Sequence, residues 1–353
     1  MKWKFYSLAF VAGMSILTAC SSDDNNDNDG NGGNGNGNEI ENGTILKGTI
    51  TSDVTLAAGN TYKLSGEYIV EEGATLHIEE GVKIIAVYDD IADYILVKQG
   101  GKINAVGTPD KPIVMTSEKE EPGAWGGIHI CGRAHTNAEG GKGSSEIGGA
   151  VYGGNDDADN SGTLQYIRLE YTGFAFDEEH EANGISFYGV GNGTIVDHCQ
   201  AYKGSDDGFE FFGGSVNVSN LVAVSCSDDS FDWTEGWNGK GTNLVAYQED
   251  KSTLGYDCDC LMECDNNGSN NAATPVAHPV LKNLILVGNG GSKQGIRLRA
   301  GTEVEIDNAK VCGKGQPLTV ETALTENALK NGTSKLTNIT LTSELSSKEG
   351  IYT

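Results

Sequence analysis

Two short acidic segments repeat one another and carry the side chains best suited to chemistry. Residues 205–211 read Ser-Asp-Asp-Gly-Phe-Glu-Phe, and residues 227–233, at a spacing of 22, read Ser-Asp-Asp-Ser-Phe-Asp-Trp. Carboxylate pairs can act as acid and base in glycoside hydrolysis, and clustered carboxylate oxygens are the ligands that calcium prefers. The repeat therefore predicts acid–base catalysis or a cation site.

The calcium hypothesis has three predicted ligands. The repeat aligns Asp207 with Asp229, and Asp259 joins them if the intervening loop is placed correctly. Stacked carboxylates repel by a few kcal/mol per neighbouring pair even at an effective dielectric near 20, so a bound cation would stabilise them. The alternative is that these residues cap turns through Asx hydrogen bonds in a solvated stack.

A basic segment follows the acidic ones. Residues 292–299 contain Lys293, Arg297 and Arg299. The same alignment places Lys293 in the column of Asp206 and Arg297 in the column of Glu210. The simplest interpretation is that Arg297 forms an ordinary ion pair with the acids.

These columns require elements that bring residues about 22 positions apart into register. Residues 196–202 and 218–224 repeat at the same spacing and alternate apolar with polar side chains. Such alternation indicates β-strands, and a fixed period of this length indicates one supersecondary unit stacked on its own copies. Equivalent residues would lie about 4.8 Å apart, one strand spacing.

An asparagine before a short apolar strand marks each later repeat. The marker occurs at Asn220, Asn243, Asn283, Asn308 and Asn338. Asparagine tolerates the left-handed backbone conformation of a sharp corner, and stacked amides can hydrogen-bond to one another.

Together these features resemble right-handed parallel β-helix proteins of the pectate-lyase-like superfamily, over residues 44–345. The Gly-Ala-Thr-Leu segment at 73–76, the asparagine corners and the 22-residue period carry the resemblance. It implies an all-β, single-stranded right-handed parallel β-helix (a solenoid) in one domain, 44–353. A β-sandwich or barrel is the rival fold, but its hairpins would not produce an exact 22-residue copy. A helical spacing over 321–329 predicts a short helix that covers the last coils.

The resemblance also implies an activity. In outline, an acidic ladder beside a basic residue is similar to the calcium-dependent polysaccharide lyases of the superfamily. There, calcium acidifies the proton beside a uronate carboxylate and a Lys or Arg removes it, which implies catalytic roles for Lys293 and Arg297. No complete lyase signature is present.

A glycan-binding protein is the preferred interpretation, with a lyase or glycoside hydrolase as the alternative and a structural or adhesive solenoid as the third. The predicted substrate-binding residues are Glu210, Asp232, Trp237 and Arg299. An insertion at 174–183 is expected to overhang the acidic column and wall a cleft.

The net charge excludes one class of partner, and the number of cysteines limits how they can pair. Lys and Arg total 24 against 50 Asp and Glu, a formal net charge of −26, which argues against nucleic acid as a partner. Once Cys20 is set apart, seven cysteines remain. Cys226 and Cys258 fall in neighbouring coils, and a disulfide between them is the first expectation for an exported protein, with zinc as a weaker alternative.

The N-terminus predicts where the protein resides. Residues 1–19 combine a basic start, a short apolar run and small residues, which is typical of a secretory signal peptide. Leu-Thr-Ala-Cys at 17–20 resembles the lipobox of bacterial lipoproteins, in which Cys20 carries the lipid. Residues 20–43 read as a flexible acidic Gly/Asn tether. The expectation is an outer-membrane lipoprotein that faces the cell exterior and meets the membrane only through Cys20.

Overall fold

The computed structural model describes residues 38–89, 91–176 and 180–342. The predicted signal peptide, the lipidation site Cys20 and most of the predicted tether lie outside the described residues. Within them, no helix is long and apolar enough to cross a membrane.

The described chain consists almost entirely of strands. In chain order the strands are β1 Asn38–Ile40, β2 Ile45–Ile50, β3 Val54–Leu56, β4 Thr61–Val70, β5 Thr75–Ile78, β6 Lys83–Ala86, β7 Tyr94–Val97, β8 Lys102–Val106, β9 Ile113–Ser117, β10 Ile128–Cys131, β11 Gly143–Ser144, β12 Val151–Tyr152, β13 Gly162–Glu170, β14 Ile185–Tyr188, β15 Ile195–Tyr202, β16 Phe209–Phe212, β17 Asn217–Val224, β18 Phe231–Thr234, β19 Lys240–Tyr247, β20 Met262–Cys264, β21 Val280–Val287, β22 Gln294–Leu298, β23 Glu305–Cys312, β24 Gln316–Val320 and β25 Lys335–Leu341. The helical segments are a 3₁₀ turn at Glu139–Gly141, α1 Lys251–Leu254 and α2 Ala323–Asn331.

The strands form the predicted right-handed parallel β-helix. In the later coils, β15, β17, β19, β21, β23 and β25 pair in sequence along one side. On another side β14, β16, β18, β20, β22 and β24 do the same, and this second series is called the site sheet below. Among the described strands, only β11 and β12 pair antiparallel. The all-β solenoid prediction is confirmed.

The asparagine corners are also confirmed. All five residues adopt left-handed backbone angles, with φ of 55–62°. The amides of the first four form a ladder between coils: Asn283 Nδ2 donates to Asn243 Oδ1 at 3.0 Å, and Asn308 Nδ2 donates to Asn283 Oδ1 at 2.8 Å. The amide of Asn338 donates to Asp307 Oδ1 instead. The corner therefore combines a conformation that asparagine tolerates with hydrogen bonds that the amide alone can make.

Two substitutions at Asn283 should separate these contributions. Asn283→Gly keeps the left-handed angle accessible but loses the ladder bonds. Asn283→Ala loses both, and we expect it to lower the free energy of unfolding by a further ~1 kcal/mol, because alanine disfavours positive φ. Urea denaturation of the two variants measures the difference, and equal stability would contradict the strain argument.

Stacked aromatic rings fill the core behind the site sheet. Phe187 stacks on Phe211 with ring centroids 5.0 Å apart, and Phe209 stacks on Phe231 at 5.6 Å. Trp237 is 1% exposed, stacks on Phe211 at 4.2 Å and donates Nε1–H to the Val216 carbonyl at 3.2 Å. The prediction that Trp237 is a substrate-binding surface residue is therefore wrong, because its ring completes the core stack.

The segment between β10 and β13, residues 132–161, is a long insertion that packs against the outside of the coil. Tyr152 OH and Thr136 Oγ1 both donate to Glu235 Oε2, at 2.7 and 2.6 Å. Beneath the insertion, Tyr152 and Tyr188 belong to an apolar cluster separate from the core. These contacts hold the insertion beside the outward face of the site sheet.

The described cysteines and the helix near the C-terminal coils differ from and agree with the predictions, respectively. All seven described cysteines are buried free thiols, so the predicted disulfide between Cys226 and Cys258 is wrong. A buried thiol packs as a small apolar group, which suffices to explain its place in a coil. The predicted helix is confirmed as α2, two residues later than expected.

Candidate functional site

The outward face of the site sheet carries a charged column. Glu210 pairs in register with Asp232, Asp232 with Glu263, and Glu263 with Arg297. The gapless repeat placed Glu210 above Asp232 correctly, and Arg297 follows in the same column as predicted. Side chains alternate along each strand, so the phenylalanines on either side of Glu210 in β16 point into the core.

A second column lies in the turns that precede these strands. Asn183 Oδ1 accepts the Asp207 N–H at 3.2 Å, Asp207 Oδ1 accepts the Asp229 N–H at 2.8 Å, and Asp229 Oδ1 accepts the Cys260 N–H at 2.6 Å. Each side chain thus caps a backbone N–H of the next coil. The turn-cap alternative expected Asx bonds within one turn of a solvated stack, but these bonds run between coils, and Asp207 and Asp229 are buried. These bonds use only one oxygen of each carboxylate.

The placement of Asp259 in this column is wrong by one residue. Cys260 follows Asp229, and Asp259 lies one position earlier, where its side chain pairs with Lys293. The physical reason is that Cys260, Leu261 and Met262 are all fully buried, so apolar alternation does not define the register after the α1 loop. With this register, the core-facing side chain of Met262 pairs with Ile296 of β22 and follows Phe231 of β18, a position that the slipped alignment would give to Leu261.

Both columns border one acidic cleft of about 340 Å³. Its lining residues are Glu146, Glu181, Asp206, Asp207, Glu210, Asp228, Asp229, Asp232, Asp259, Glu263 and Arg297. Ten carboxylates therefore face a space that a single arginine also lines.

Burial within this cleft strongly disfavours the charged carboxylates. Burial first, and neighbouring carboxylates second, raise the pKa of Asp206 to about 8 and that of Asp228 to about 6. The same causes raise the pKa values of Asp207, Asp229 and Asp232 well above the usual aspartate range. The site thus holds acid groups that need protons or cations to balance them.

The geometry of the oxygens suits a hard divalent cation. Three sets bring one oxygen from each member within 4.8 Å of the others: Asp206, Asp207 and Asp228; Asp207, Glu210 and Asp232; Asp229, Asp232 and Glu263. In addition, Oδ1 of Asp232 is buried and has no hydrogen-bond partner. Carboxylate oxygens are the ligands that a hard cation such as calcium prefers, and the unpaired Oδ1 of Asp232 is free to accept one.

The basic residues at the edge of the cleft are engaged in ion pairs. Lys293 Nζ pairs with Asp259, and Arg297 NH1 contacts Glu263 Oε2 at 2.8 Å. Arg297 also donates Nε–H to Glu321 Oε1 at 3.0 Å. The ion-pair interpretation of Arg297 is therefore confirmed.

Arg299 follows directly after the last residue of β22 and is also paired. Its Nε lies 2.7 Å from Asp265 Oδ1, and its guanidinium contacts Glu263 as well. Arg299 lies at the end of the acidic column, where its single positive charge is shared between Glu263 and Asp265.

Sequence reasoning missed two lining carboxylates. Glu263 would have been found with the correct register after α1, since it follows Asp232 in the column. Glu146 belongs to the insertion 132–161, and no periodic signal relates it to the coils. Tyr188 OH donates to Glu146 Oε2 at 3.3 Å, and burial raises the pKa of Glu146 to about 7. The expectation that the segment 174–183 walls the cleft is supported by Glu181, which lines it.

Comparison with known proteins agrees with the fold. Residues 48–353 match the family model described as a pectate-lyase-like beta helix domain. No curated protein matches the chain. The match covers most of the sequence, including every strand of the site sheet, and the fold points to a carbohydrate-related function. The chain belongs to the pectate-lyase-like β-helix family.

Proposed function

We propose that this protein is a lipid-anchored, surface-exposed β-helix that binds acidic polysaccharide through calcium held in the acidic cleft. The observation that carries the proposal is the cleft itself: ten carboxylates surround one space, and the buried Oδ1 of Asp232 has no partner. Asp207, Asp229, Asp232 and Glu210 would hold the cation.

An acidic glycan fits this site only when cations are present. Bare carboxylates in the cleft would repel the carboxylates of a uronate chain. A bound calcium ion supplies positive charge that both the protein and the glycan can share. The rings of Trp237 and Tyr188 are fully buried and cannot stack on a sugar, so the proposal rests on ionic contact.

Binding is favoured over cleavage because the candidate catalytic cations are occupied. Lys293 pairs with Asp259, and Arg297 pairs with both Glu263 and Glu321. A group that removes a proton must lose its own proton first, and the hydrogen bond to Asp259 raises the pKa of Lys293. These ion pairs keep both side chains protonated.

Calcium-dependent lyase activity is the second candidate, and the position of Lys293 favours it. Lys293 shares an ion pair with Asp259 at the cleft, and its side chain is 55% exposed, so a bound glycan can reach it. In that role, calcium would acidify the proton beside a uronate carboxylate, and Lys293 would accept that proton only after leaving Asp259 and losing its own proton to solvent.

The test combines binding and product measurements. Titration of polygalacturonate by calorimetry should give a signal in calcium and none in chelator. Calcium-independent binding or no binding to any acidic glycan would refute the proposed function. Ultraviolet absorbance of unsaturated products, lost in Lys293→Ala, would instead establish the lyase.

The anchoring part of the proposal rests on the sequence of the N-terminus. Cys20→Ser should release the protein from the membrane fraction, because acyl chain burial is then lost. External protease should remove the wild-type protein from intact cells. Retention of the Cys20→Ser protein in membranes would contradict the lipid anchor.

A pH dependence follows from the raised carboxyl pKa values. The folded-state pKa of Asp206, about 8, and of Asp228, about 6, lie above the ~3.9 of an unfolded aspartate. Their stabilising contribution is therefore complete below pH ~4 and is lost as the pH rises through the folded values. In chelator, the melting temperature should fall between pH 5 and pH 8, as scanning calorimetry can measure. Calcium should suppress this fall, and an identical profile with and without calcium would contradict the site.

A further inference from the structure

A second polar pocket lies next to the acidic cleft. It has a volume of about 750 Å³, and its lining residues are Asn137, Ala138, Glu139, Thr234, Glu235, Asn267, Gly268, Ser269 and Asn270. The insertion forms one wall, the loop after β20 forms the other, and the end of β18 forms the floor. We call it the amide pocket.

The amide pocket and the acidic cleft share one face of one strand. Asp232 lines the cleft and Thr234 lines the pocket, and both point outward from β18. Two residues along a strand span about 7 Å. Neighbouring units of a single glycan chain can cover this distance.

Hydrogen bonds between the two walls hold the amide pocket open. Asn267 Nδ2 donates to Asn137 Oδ1 at 3.0 Å, and Asn137 Nδ2 donates to Asn266 Oδ1 at 2.8 Å. These partners are about 130 residues apart in sequence, so only the folded coil brings them together. A preformed pocket binds without the entropic cost of ordering its walls.

The groups exposed in the pocket are suited to hydroxyl ligands. Within the described residues, the side chains of Thr234, Ser269 and Glu139 make no hydrogen bond, and Glu235 uses only Oε2. At the boundary with the cleft, Arg299 pairs with Asp265, which reduces the negative charge there. Hydroxyl, amide and carboxylate groups together can donate to and accept from a sugar's hydroxyls.

We infer that the amide pocket binds a neutral sugar unit adjacent to an acidic unit in the cleft. The ligand is then a heteropolymer in which uronate and neutral units are neighbours, not a uronate homopolymer. The acidic half of this inference rests on the proposed function, whereas the neutral half rests on the pocket alone.

Gly268→Trp provides a steric test. A Cβ at Gly268 would meet nothing within 4 Å, and the residue has no positive φ, so the ring can enter the pocket without backbone strain. The probes are polygalacturonate and an alternating galacturonate–rhamnose polymer, titrated in calcium. Wild-type protein should bind the alternating polymer about tenfold more tightly, a difference of ~1.4 kcal/mol. Gly268→Trp should remove that preference and leave polygalacturonate affinity unchanged.

Lys47→Trp is the matched control, because it adds the same ring at an exposed position in an early coil. Ser269→Ala gives a smaller change in the same pocket and should reduce the preference in part. Equal wild-type affinity for the two polymers, or an undiminished preference in Gly268→Trp, would overturn the inference.

A calcium-free experiment separates this inference from the proposed function. Saturation-transfer NMR in chelator, with rhamnose, galactose, glucose and xylose as probes, examines the pocket alone. A signal that persists in Asp229→Asn and disappears in Gly268→Trp would support the pocket even if the cleft binds no uronate. No transfer to any of these sugars would refute it, whatever the cleft binds.

Discussion

Replacing Asp229 with Asn should abolish most of the calcium-dependent rise in melting temperature. Asp229 is 4% exposed and contributes an oxygen to a set with Asp232 and Glu263. Asparagine keeps the size of the side chain and the oxygen that accepts the Cys260 N–H, but it lacks the charge that a cation needs. The substitution therefore tests the ligand role with little structural change.

The expected magnitude follows from mass action. At a calcium concentration 100 times the dissociation constant, binding stabilises a protein by ~2.7 kcal/mol. For a domain of roughly 300 residues with an unfolding entropy of ~2.1 cal/mol/K per residue, that corresponds to a melting-temperature rise of about 4 °C. In calcium, wild type should be the more stable protein. In chelator, Asp229→Asn should be more stable than wild type, because the substitution removes one buried carboxyl group that its neighbours repel.

The matched control is Asp110→Asn, which changes an exposed aspartate away from the cleft. It should retain the full calcium response in differential scanning calorimetry. If Asp229→Asn also retained that response, the acidic cleft would not be the calcium site, and the turn-cap role of Asp229 would be sufficient.

Replacing Trp237 with Ala should destabilise the coil strongly without acting directly on the ligand. The ring is buried, stacked on Phe211 and hydrogen-bonded to the Val216 carbonyl. Truncation of a buried tryptophan leaves a cavity and an unpaired carbonyl, which costs about 3–5 kcal/mol. Urea denaturation should show this loss, while the fraction that remains folded should bind acidic glycan in calcium as wild type does.

Leu324→Ala is the corresponding control, because Leu324 lies on α2, away from the cleft, and is 46% exposed. We expect its unfolding free energy to change by less than about 0.5 kcal/mol. Unchanged stability of Trp237→Ala together with lost glycan binding would restore Trp237 as a ligand contact and contradict its place in the core.

Register was predictable throughout the gapless repeat and again at Arg297, but not directly after the α1 loop. The segments at 205–211 and 227–233 align residue for residue, so Glu210 and Asp232 were correctly placed above one another. After the α1 loop the alignment slipped by one residue and misplaced Asp259. A run of three buried residues, Cys260 to Met262, has no alternation to reveal such a slip.

The sequence alone determined the β-helix, its left-handed asparagine corners and the acidic columns, because period and alternation are local properties of a strand coil. Tertiary structure alone decided that Trp237 is core, that Lys293 pairs with Asp259, and that Glu263 and Glu321 are the partners of Arg297. It also decided that Glu146 reaches the cleft and that Asn137 meets Asn267 across the amide pocket. Those contacts join an insertion and long loops to distant coils, and no repeat in the chain encodes where such segments fold back.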